Sequence, residues 1–285
     1  MNYDWIFAFV VFAEHLNFTR AARQLHLSQP ALHVQIKKLS AAIGRPLYRR
    51  AGRALVLTPE GRRVAAFGRE VQDRGRSVLE ELRGQAPSGP VVLASGQGAL
   101  LYLLGPALRR FPKARWPLRV LALQGPAAIE AVREATAQLC VVTTEAPPGD
   151  LVAVRLRAVG QKVVLPVGHR LANRRSLRPG DLGGEPLVVA PAGSPHRTML
   201  AQLLRAGGNE LNVAVEATGW ELMLQLARYG VGLAVVNDFC PAPAGTVGVP
   251  LAGAPDTIYY LLRRGGVTSP GLEAMHELIT STVRA

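Results

Sequence analysis

Residues 16–61 constrain this chain more than any other stretch. Ala21, Ala22 and Leu25 recur at the spacing of the inner face of a short helix, and the two alanines leave room for a second helix to come close. Thr19, just ahead of them, is a good N-cap. Ser28 opens the next helix, with Pro30 in its first turn, where a missing N–H costs nothing. Leu32, Ile36, Leu39 and Ile43 then form one buried stripe, and Gly44 ends the helix. The opposite face carries Gln29, Pro30, His33, Val34 and Lys37. Arg45, Arg49, Arg50 and Arg53 follow around a Gly52 turn, between short apolar runs at 46–48 and 54–57. A tight helix pair followed by a basic hairpin is built to lay one helix in a DNA groove while the hairpin holds phosphates.

The flanking segments read as support for that unit. Residues 2–15 predict a first helix, with Trp5, Phe9, Phe12, Ala13 and Leu16 on one face for the reader helices to pack on. Thr58-Pro59-Glu60 is a strong helix start, and the helix runs to about residue 84. Val64, Phe67, Val71, Val78 and Leu82 keep a near-heptad seam along it, interrupted at Arg74-Gly75. A long helix with no obvious partner in its own small domain points to dimerisation through that seam. Residues 85–90 (QAPSGP) read as a linker.

Beyond the linker, strands and helices alternate. Strands at 91–94, 118–123 and 139–143 are separated by helices at 99–111 and 127–136, which implies a parallel sheet with right-handed crossovers. A second run has strands at 162–167, 186–189, 212–216, 233–236 and 257–263, helices at 196–206 and 220–229, and a terminal helix at 272–283.

Residues 18–57, through Ala21-Ala22, Leu25, Ser28-Gln29-Pro30-Ala31-Leu32, Gln35-Ile36, Leu39, Gly44, Pro46-Leu47 and Arg50, then Leu57-Thr58 and Gly61, resemble the winged helix-turn-helix of the LysR-type transcriptional regulators. Downstream, His169-Arg170-Leu171-Ala172, Asp181-Leu182, Pro186-Leu187 and Gly230-Val231-Gly232 match landmarks of that family in the same order. The resemblance implies an N-terminal all-α winged helix-turn-helix (1–58), a linker or dimerisation helix and hinge (59–90), and a C-terminal α/β effector domain (91–285). That domain would have the two-lobed, type II periplasmic-binding-protein fold, with lobe one at about 91–160 and 265–285 and lobe two at about 161–264. His33 and Val34 stand where many relatives carry Ser-Arg, and Ser40 where a Glu is common, so base preference does not transfer.

Charge agrees with a nucleic-acid partner. The formal net charge is +13, and residues 1–86 hold 14 Lys/Arg against 7 Asp/Glu, while residues 87–285 hold 19 against 13. The excess is densest at the N-terminal end. Residues 6–13 are apolar but end in Glu14-His15, unlike a signal peptide, and no apolar run reaches membrane-spanning length, so the expected location is cytoplasmic. Cys140 and Cys240 sit within or at the end of apolar runs and read as buried, inert thiols rather than a disulfide framework or a zinc site.

The sequence offers no catalytic constellation, metal cluster or cofactor motif: Gly96-x-Gly98 lacks a third glycine, because Leu101 occupies its place. The DNA-contacting set is Thr19, Arg20, Ser28, Gln29, Pro30, His33, Val34, Lys37, Lys38, Arg49, Arg50 and Arg53. Loops beyond the strand ends nominate the effector site: Ser95, Gly96, Gln97, Gly98, Thr143 and Thr144 in lobe one, and Ser194, His196, Arg197, Thr218, Trp220 and Asn237 in lobe two. Ser95–Gly98 resembles a cradle for a carboxylate or phosphate, and Ser194, His196 and Arg197 could clamp an anion from the other side. The expected partners are double-stranded promoter DNA, a small-molecule effector (an anion on this reading), RNA polymerase, and further copies of the chain in a homodimer or homotetramer. The rival reading keeps the DNA reader and makes the α/β part a ligand-free assembly platform.

Overall fold

The computed structural model describes residues 2–83, 89–112 and 115–284. Most of the linker expected at 85–90 lies outside the described residues. Helix α1 (Tyr3–His15) is capped by Asn2, whose side chain accepts from the Asp4 N–H at 2.8 Å. Leu16 closes it in the left-handed region (φ 47°), which delivers Asn17, extended, to the start of α2 (Phe18–Gln24). Asn17, not Thr19, is therefore the cap: it accepts from the Arg20 N–H at 3.0 Å, and Thr19 lies inside the helix. Helix α3 (Gln29–Ile43) starts on Ser28, which accepts from the Ala31 N–H, and stops at Gly44 (φ 76°).

The reader core joins Ile6, Phe9 and Phe12 of α1, Ala21 and Ala22 of α2, and Leu32, Ile36 and Leu39 of α3. Burying each large side chain contributes about 1.5–3 kcal/mol. Strands β1 (Tyr48–Ala51) and β2 (Ala54–Leu57) pair antiparallel, Arg49 opposite Val56 and Arg50 opposite Leu55. Gly52 supplies the positive φ (61°) that this two-residue turn needs.

Helix α4 (Pro59–Leu82) begins where the Thr58 hydroxyl accepts from the Gly61 N–H at 3.0 Å. Its Gly68 lets α1 come in: a Cβ there would stand 2.5 Å from Val10 Cγ2 and 2.8 Å from Ile6 Cγ2. The N-terminal part of α4 thus belongs to its own reader, and Val64 packs against that core. The rest of the seam is open in the single chain, with Phe67 40% and Leu82 79% exposed.

Two five-stranded sheets form the α/β part. The first has β3 (Val91–Ser95) between β4 (Leu118–Ala122) and β5 (Leu139–Thr143), all parallel, followed by β12 (Thr257–Arg263) and β6 (Val152–Val159) antiparallel. The second runs β11 (Thr246–Pro250), β7 (Gln161–Pro166), β10 (Leu233–Asn237), β8 (Leu187–Val189) and β9 (Val213–Glu216). Helices α5 (Gly105–Arg110), α6 (Gly125–Arg133) and α9 (Pro270–Val283) cover the first sheet, and α7 (Pro195–Ala206) and α8 (Trp220–Arg228) the second.

Three expectations are corrected. The chain returns to the first lobe by Thr257, not by residue 265, because β12 pairs with β5 and β6 and buries Tyr259 and Leu261 in the first core. The helix expected over 99–111 is split into a π turn (Ala99–Leu103) and α5, at Gly105-Pro106, where the proline has no N–H to continue a helical ladder. Strands β6 and β11 are additions to the expected pattern; both are sheet edges, and β11 contains Gly248 and ends in Pro250, residues that an edge tolerates. The landmark His169-Arg170 has a structural role: both side chains converge on the nearly buried Glu185 carboxylate, His169 at 3.3 Å.

Candidate nucleic-acid interface and ligand cleft

Burial of Leu32, Ile36 and Leu39 turns His33, Val34 and Lys37 outward, with Val34 49% exposed. The His33 ring packs on Phe18 (centroids 5.2 Å apart), and its Nε2 lies 3.5 Å from the Tyr48 hydroxyl. Phe18 begins α2 and Tyr48 begins β1, so one residue ties both helices of the reader to the wing. Thr19, Arg20, Ser28, Gln29 and Pro30 stand at the starts of α2 and α3, and all five are exposed; the Ser28 hydroxyl is already engaged as a cap. Lys38 departs from the expected face: its Nζ sits 5.8 Å from the centre of the Trp5 ring, on the flank towards α1.

Arg45, Arg49, Arg50 and Arg53 are all exposed. Among the described residues, the ion pairs lie elsewhere, in α4 and the α/β part. A wing of guanidinium groups outside those pairs, beside an uncommitted helix face, is an anion-binding surface that follows a polyphosphate backbone.

The cleft differs from its sequence portrait. Ser95 is buried and donates its hydroxyl to the Val141 carbonyl at 2.6 Å, so it secures β3 to β5 and is not free for a ligand. Arg197 is bound to the Glu216 carboxylate and to the Ala190 carbonyl (3.3 Å), so it is not a free cation. Ser194 is the α7 cap, accepting from the Arg197 N–H at 3.2 Å. Asn237 is buried in the crossover between lobes: its Nδ2 donates to the Tyr259 hydroxyl (2.8 Å) and its Oδ1 accepts from Gln161 Nε2 (3.0 Å). Gln161 also reaches Thr257 Oγ1 at 3.2 Å, so this network joins β7 and β10 of one lobe to β12 of the other. Thr143 is exposed and Thr218 lies in the loop before α8, while the Thr144 hydroxyl donates to the Ala146 carbonyl.

The contact across the cleft is made by Trp220. Its indole lies so close to Gly98 that a Cβ on that glycine would stand 1.9 Å from Trp220 Cδ1. Gly96 and Gln97 flank the contact; Gln97 Oε1 reaches towards Gly219, the residue before α8. His196 meets the indole edge-on, with centroids 4.6 Å apart, and both its ring nitrogens are buried without a hydrogen-bond partner. Burial pushes its pKa down to about 4, so the imidazole is neutral at physiological pH. Tyr102, Phe239, Gln161 and Tyr259 also shape the region, and the sequence reading misses them; Tyr102 and Gln161 reach it only through pairing of distant segments.

Two further features bear on function. Arg264 joins the first lobe to α4: its Nε is 2.5 Å from Glu70, and it donates to the Val132 and Ala137 carbonyls. Cys140 and Cys240 are buried in different lobes, and burial pushes each thiol up to about 12. With so little thiolate, neither should react with an aromatic disulfide reagent in the native chain, whereas both should after denaturation. Fast native labelling would contradict this packing. Among the described residues no group of three His, Cys, Asp or Glu could hold a metal ion, and no helix is long and apolar enough to cross a membrane.

Comparisons with known proteins agree with both halves. The family model described as "Bacterial regulatory helix-turn-helix protein, lysR family" matches residues 3–62, and the model described as "LysR substrate binding domain" matches residues 84–284. The RuBisCO operon transcriptional regulator of Allochromatium vinosum is 28% identical over 288 residues, covering 96% of this chain and 93% of that protein. The transcriptional activator protein LysR of Escherichia coli is 30% identical over 231 residues, covering 78% and 72%. Among solved structures, a cysteine-to-aspartate variant of full-length OxyR from Pseudomonas aeruginosa superposes with a TM-score of 0.76 at 20% identity, covering 100% of this chain and 95% of that one. Full-length LysG from Corynebacterium glutamicum, solved with bound effector Arg, gives 0.73 at 17% identity, covering 99% and 98%.

Proposed function

We propose a division of labour for this chain, which belongs to the LysR family of bacterial transcriptional regulators: α3 reads promoter DNA, the wing anchors it, and the inter-lobe cleft takes a small effector. The observation that carries this reading is the junction of Phe18, His33 and Tyr48, which fixes the outward face of α3 relative to an arginine wing outside the ion pairs of the described residues. The open stretch of the α4 seam supports pairing with a second copy, in a homodimer or homotetramer. Such an assembly would bind repeated half-sites, act in the cytoplasm, and reach RNA polymerase from its promoter site. The effector would alter the relative placement of the reader heads through α4, to which Arg264 and Arg69 already fasten the first lobe.

Footprinting on the DNA flanking the chain's own gene tests the reading, with a protected site of two related half-sites as the expected result. His33→Ala should keep most of the affinity but change preference at one or two base pairs, each by about 1–3 kcal/mol. An unchanged preference would remove His33 from the groove face. The rival, a ligand-free α/β platform, is favoured by one observation, the seating of Trp220 on Gly98 across the cleft.

A further inference from the structure

We propose that this cleft is a self-plugged site for an uncharged, planar aromatic ligand carrying a neutral hydrogen-bonding group, which displaces the Trp220 indole and pairs with His196. The proposal rests on the reading of the cleft as the effector site, and names the class of molecule it accepts. Shape supplies the first argument. Gly98 presents bare main chain, Trp220 lies close enough to it to exclude any Cβ, and His196 meets the same indole edge-on at 4.6 Å. A ring system is what the gap accommodates when the indole leaves it.

Hydrogen bonding supplies the second. Buried polar groups in native proteins find partners, and an unpaired one marks a place where a partner is missing. Both nitrogens of His196 are in that state, at the second residue of α7. An imidazole offers one donor and one acceptor, so an amide or hydroxyl on the ligand pairs with either nitrogen.

Charge supplies the third, and it weighs against the anion expected from the sequence. Arg197, the cation that sequence places beside His196, is committed to Glu216 and Ala190. Burial alone accounts for the lowered pKa of His196, with no charged neighbour acting on it. Across the cleft, burial is the main cause of the raised Tyr102 pKa, and the Glu221 carboxylate in the first turn of α8 adds to it. An anion entering here meets a neutral imidazole and a carboxylate, and loses its hydration without an unpaired cation in return. The opposing influence is the positive end of α7, so the decisive comparison is between two ligands that differ in charge alone.

Indole-3-carboxamide and indole-3-carboxylate form such a pair. Each is titrated into the full-length chain by calorimetry at neutral pH, and fluorine NMR on fluorotryptophan-labelled protein reports Trp220, assigned from the spectrum of Trp220→Phe. The carboxamide should bind about tenfold or more tighter than the carboxylate and shift the Trp220 resonance towards its solvent-exposed position. His196→Phe should lose most of that affinity, while the Trp220 resonance of the unliganded variant stays well away from its solvent-exposed position. Gly98→Ala opens the site without ligand: alanine accepts the backbone (φ −62°), but its Cβ would stand 1.9 Å from the indole, so Trp220 should leave and the carboxamide should bind more tightly. Equal or tighter binding of the carboxylate overturns the neutral class and leaves the cleft as an effector site. Binding of neither probe to wild type or to Gly98→Ala overturns the proposal. If Gly98→Ala then also binds promoter DNA with wild-type affinity, the effector reading of the cleft fails with it.

Discussion

Replacing Arg49, Arg50 and Arg53 together with alanine will remove about 10²-fold of DNA affinity at physiological salt and make the remaining binding less salt-dependent. The register sets the magnitude. Successive residues of a strand point to opposite faces, so Arg49 and Arg50, paired with Val56 and Leu55, cannot both face one phosphate row. Arg53, in the turn beyond the strand, can accompany either. Two phosphate contacts are thus at stake rather than three. Charge-assisted hydrogen bonds contribute about 1.5–3 kcal/mol each, and exposed ones belong at the low end, which gives about 3 kcal/mol in all. The plot of log affinity against log salt should flatten by about 1.8, at about 0.9 per phosphate released. Anisotropy titrations over a salt series with specific and scrambled duplexes measure both quantities. The loss should be the same for both duplexes, because phosphates carry no sequence. An unchanged salt slope would show that the wing does not touch the backbone. The single variants Arg49→Ala and Arg50→Ala should be unequal, and the weaker binder of the two identifies the strand face turned to DNA.

The sequence discloses the reader so well because its determinants are local. Ser28, Pro30, the stripe Leu32–Ile36–Leu39 and Gly44 act within one helix, and each is found in the role its chemistry suggests. Two errors arise there, Lys38, which lies on the flank towards Trp5, and Thr19 for Asn17; the latter is also local, because two adequate caps stand two residues apart and the left-handed turn at Leu16 decides between them. Strand order in the α/β part has no such local sign. Strand β12 joins the first sheet through partners about a hundred residues or more upstream, in β5 and β6, and nothing in its own residues specifies which lobe it completes. The cleft is least legible for the same reason. Ser95, Arg197 and Asn237 look like ligand contacts by residue type, but their partners, the Val141 carbonyl, Glu216, and Gln161 with Tyr259, are brought in by sheet pairing. Trp220 and His196 stand out from their loops alone, yet the contact that matters, indole on Gly98, spans the two lobes. Long-range packing therefore changes what the cleft offers: a cradle for anions on paper has its Arg197 cation paired and its Ser95 hydroxyl spent, which is the ground for the neutral aromatic ligand we propose.

Gly61→Ala should destabilise the reader by about 3–5 kcal/mol, although Gly61 need touch no DNA. Its Cβ would stand 1.8 Å from the Leu47 carbonyl oxygen, 2.8 Å from the carbonyl carbon and 3.3 Å from Cα. All three atoms are backbone, so no rotamer change relieves the clash. The junction cannot slide cheaply either. Thr58 donates its hydroxyl to the Pro46 carbonyl (2.7 Å), accepts from the Gly61 N–H (3.0 Å), and gives its own N–H to the Leu47 carbonyl (3.1 Å). Lifting α4 away from this segment breaks the two Thr58 bonds to Pro46 and Leu47 at about 1 kcal/mol each and draws the fully buried Leu47 out of the core at about 2 kcal/mol more. Gly75, on the same helix, has nothing within 4 Å of its would-be Cβ, so Gly75→Ala gains helix propensity, about 0.5–1 kcal/mol, with no clash. Thermal melts followed by DNA binding should therefore separate two glycine-to-alanine changes in one helix: Gly61→Ala lowers the reader's Tm by about 10 °C or more and abolishes binding on warming, while Gly75→Ala leaves it level or raises it. Equal melting of the two would mean that α4 does not start against the Leu47 carbonyl. The angle at which the wing leaves α3 would then have some other cause, because this carbonyl is the point at which wing, reader core and α4 are joined.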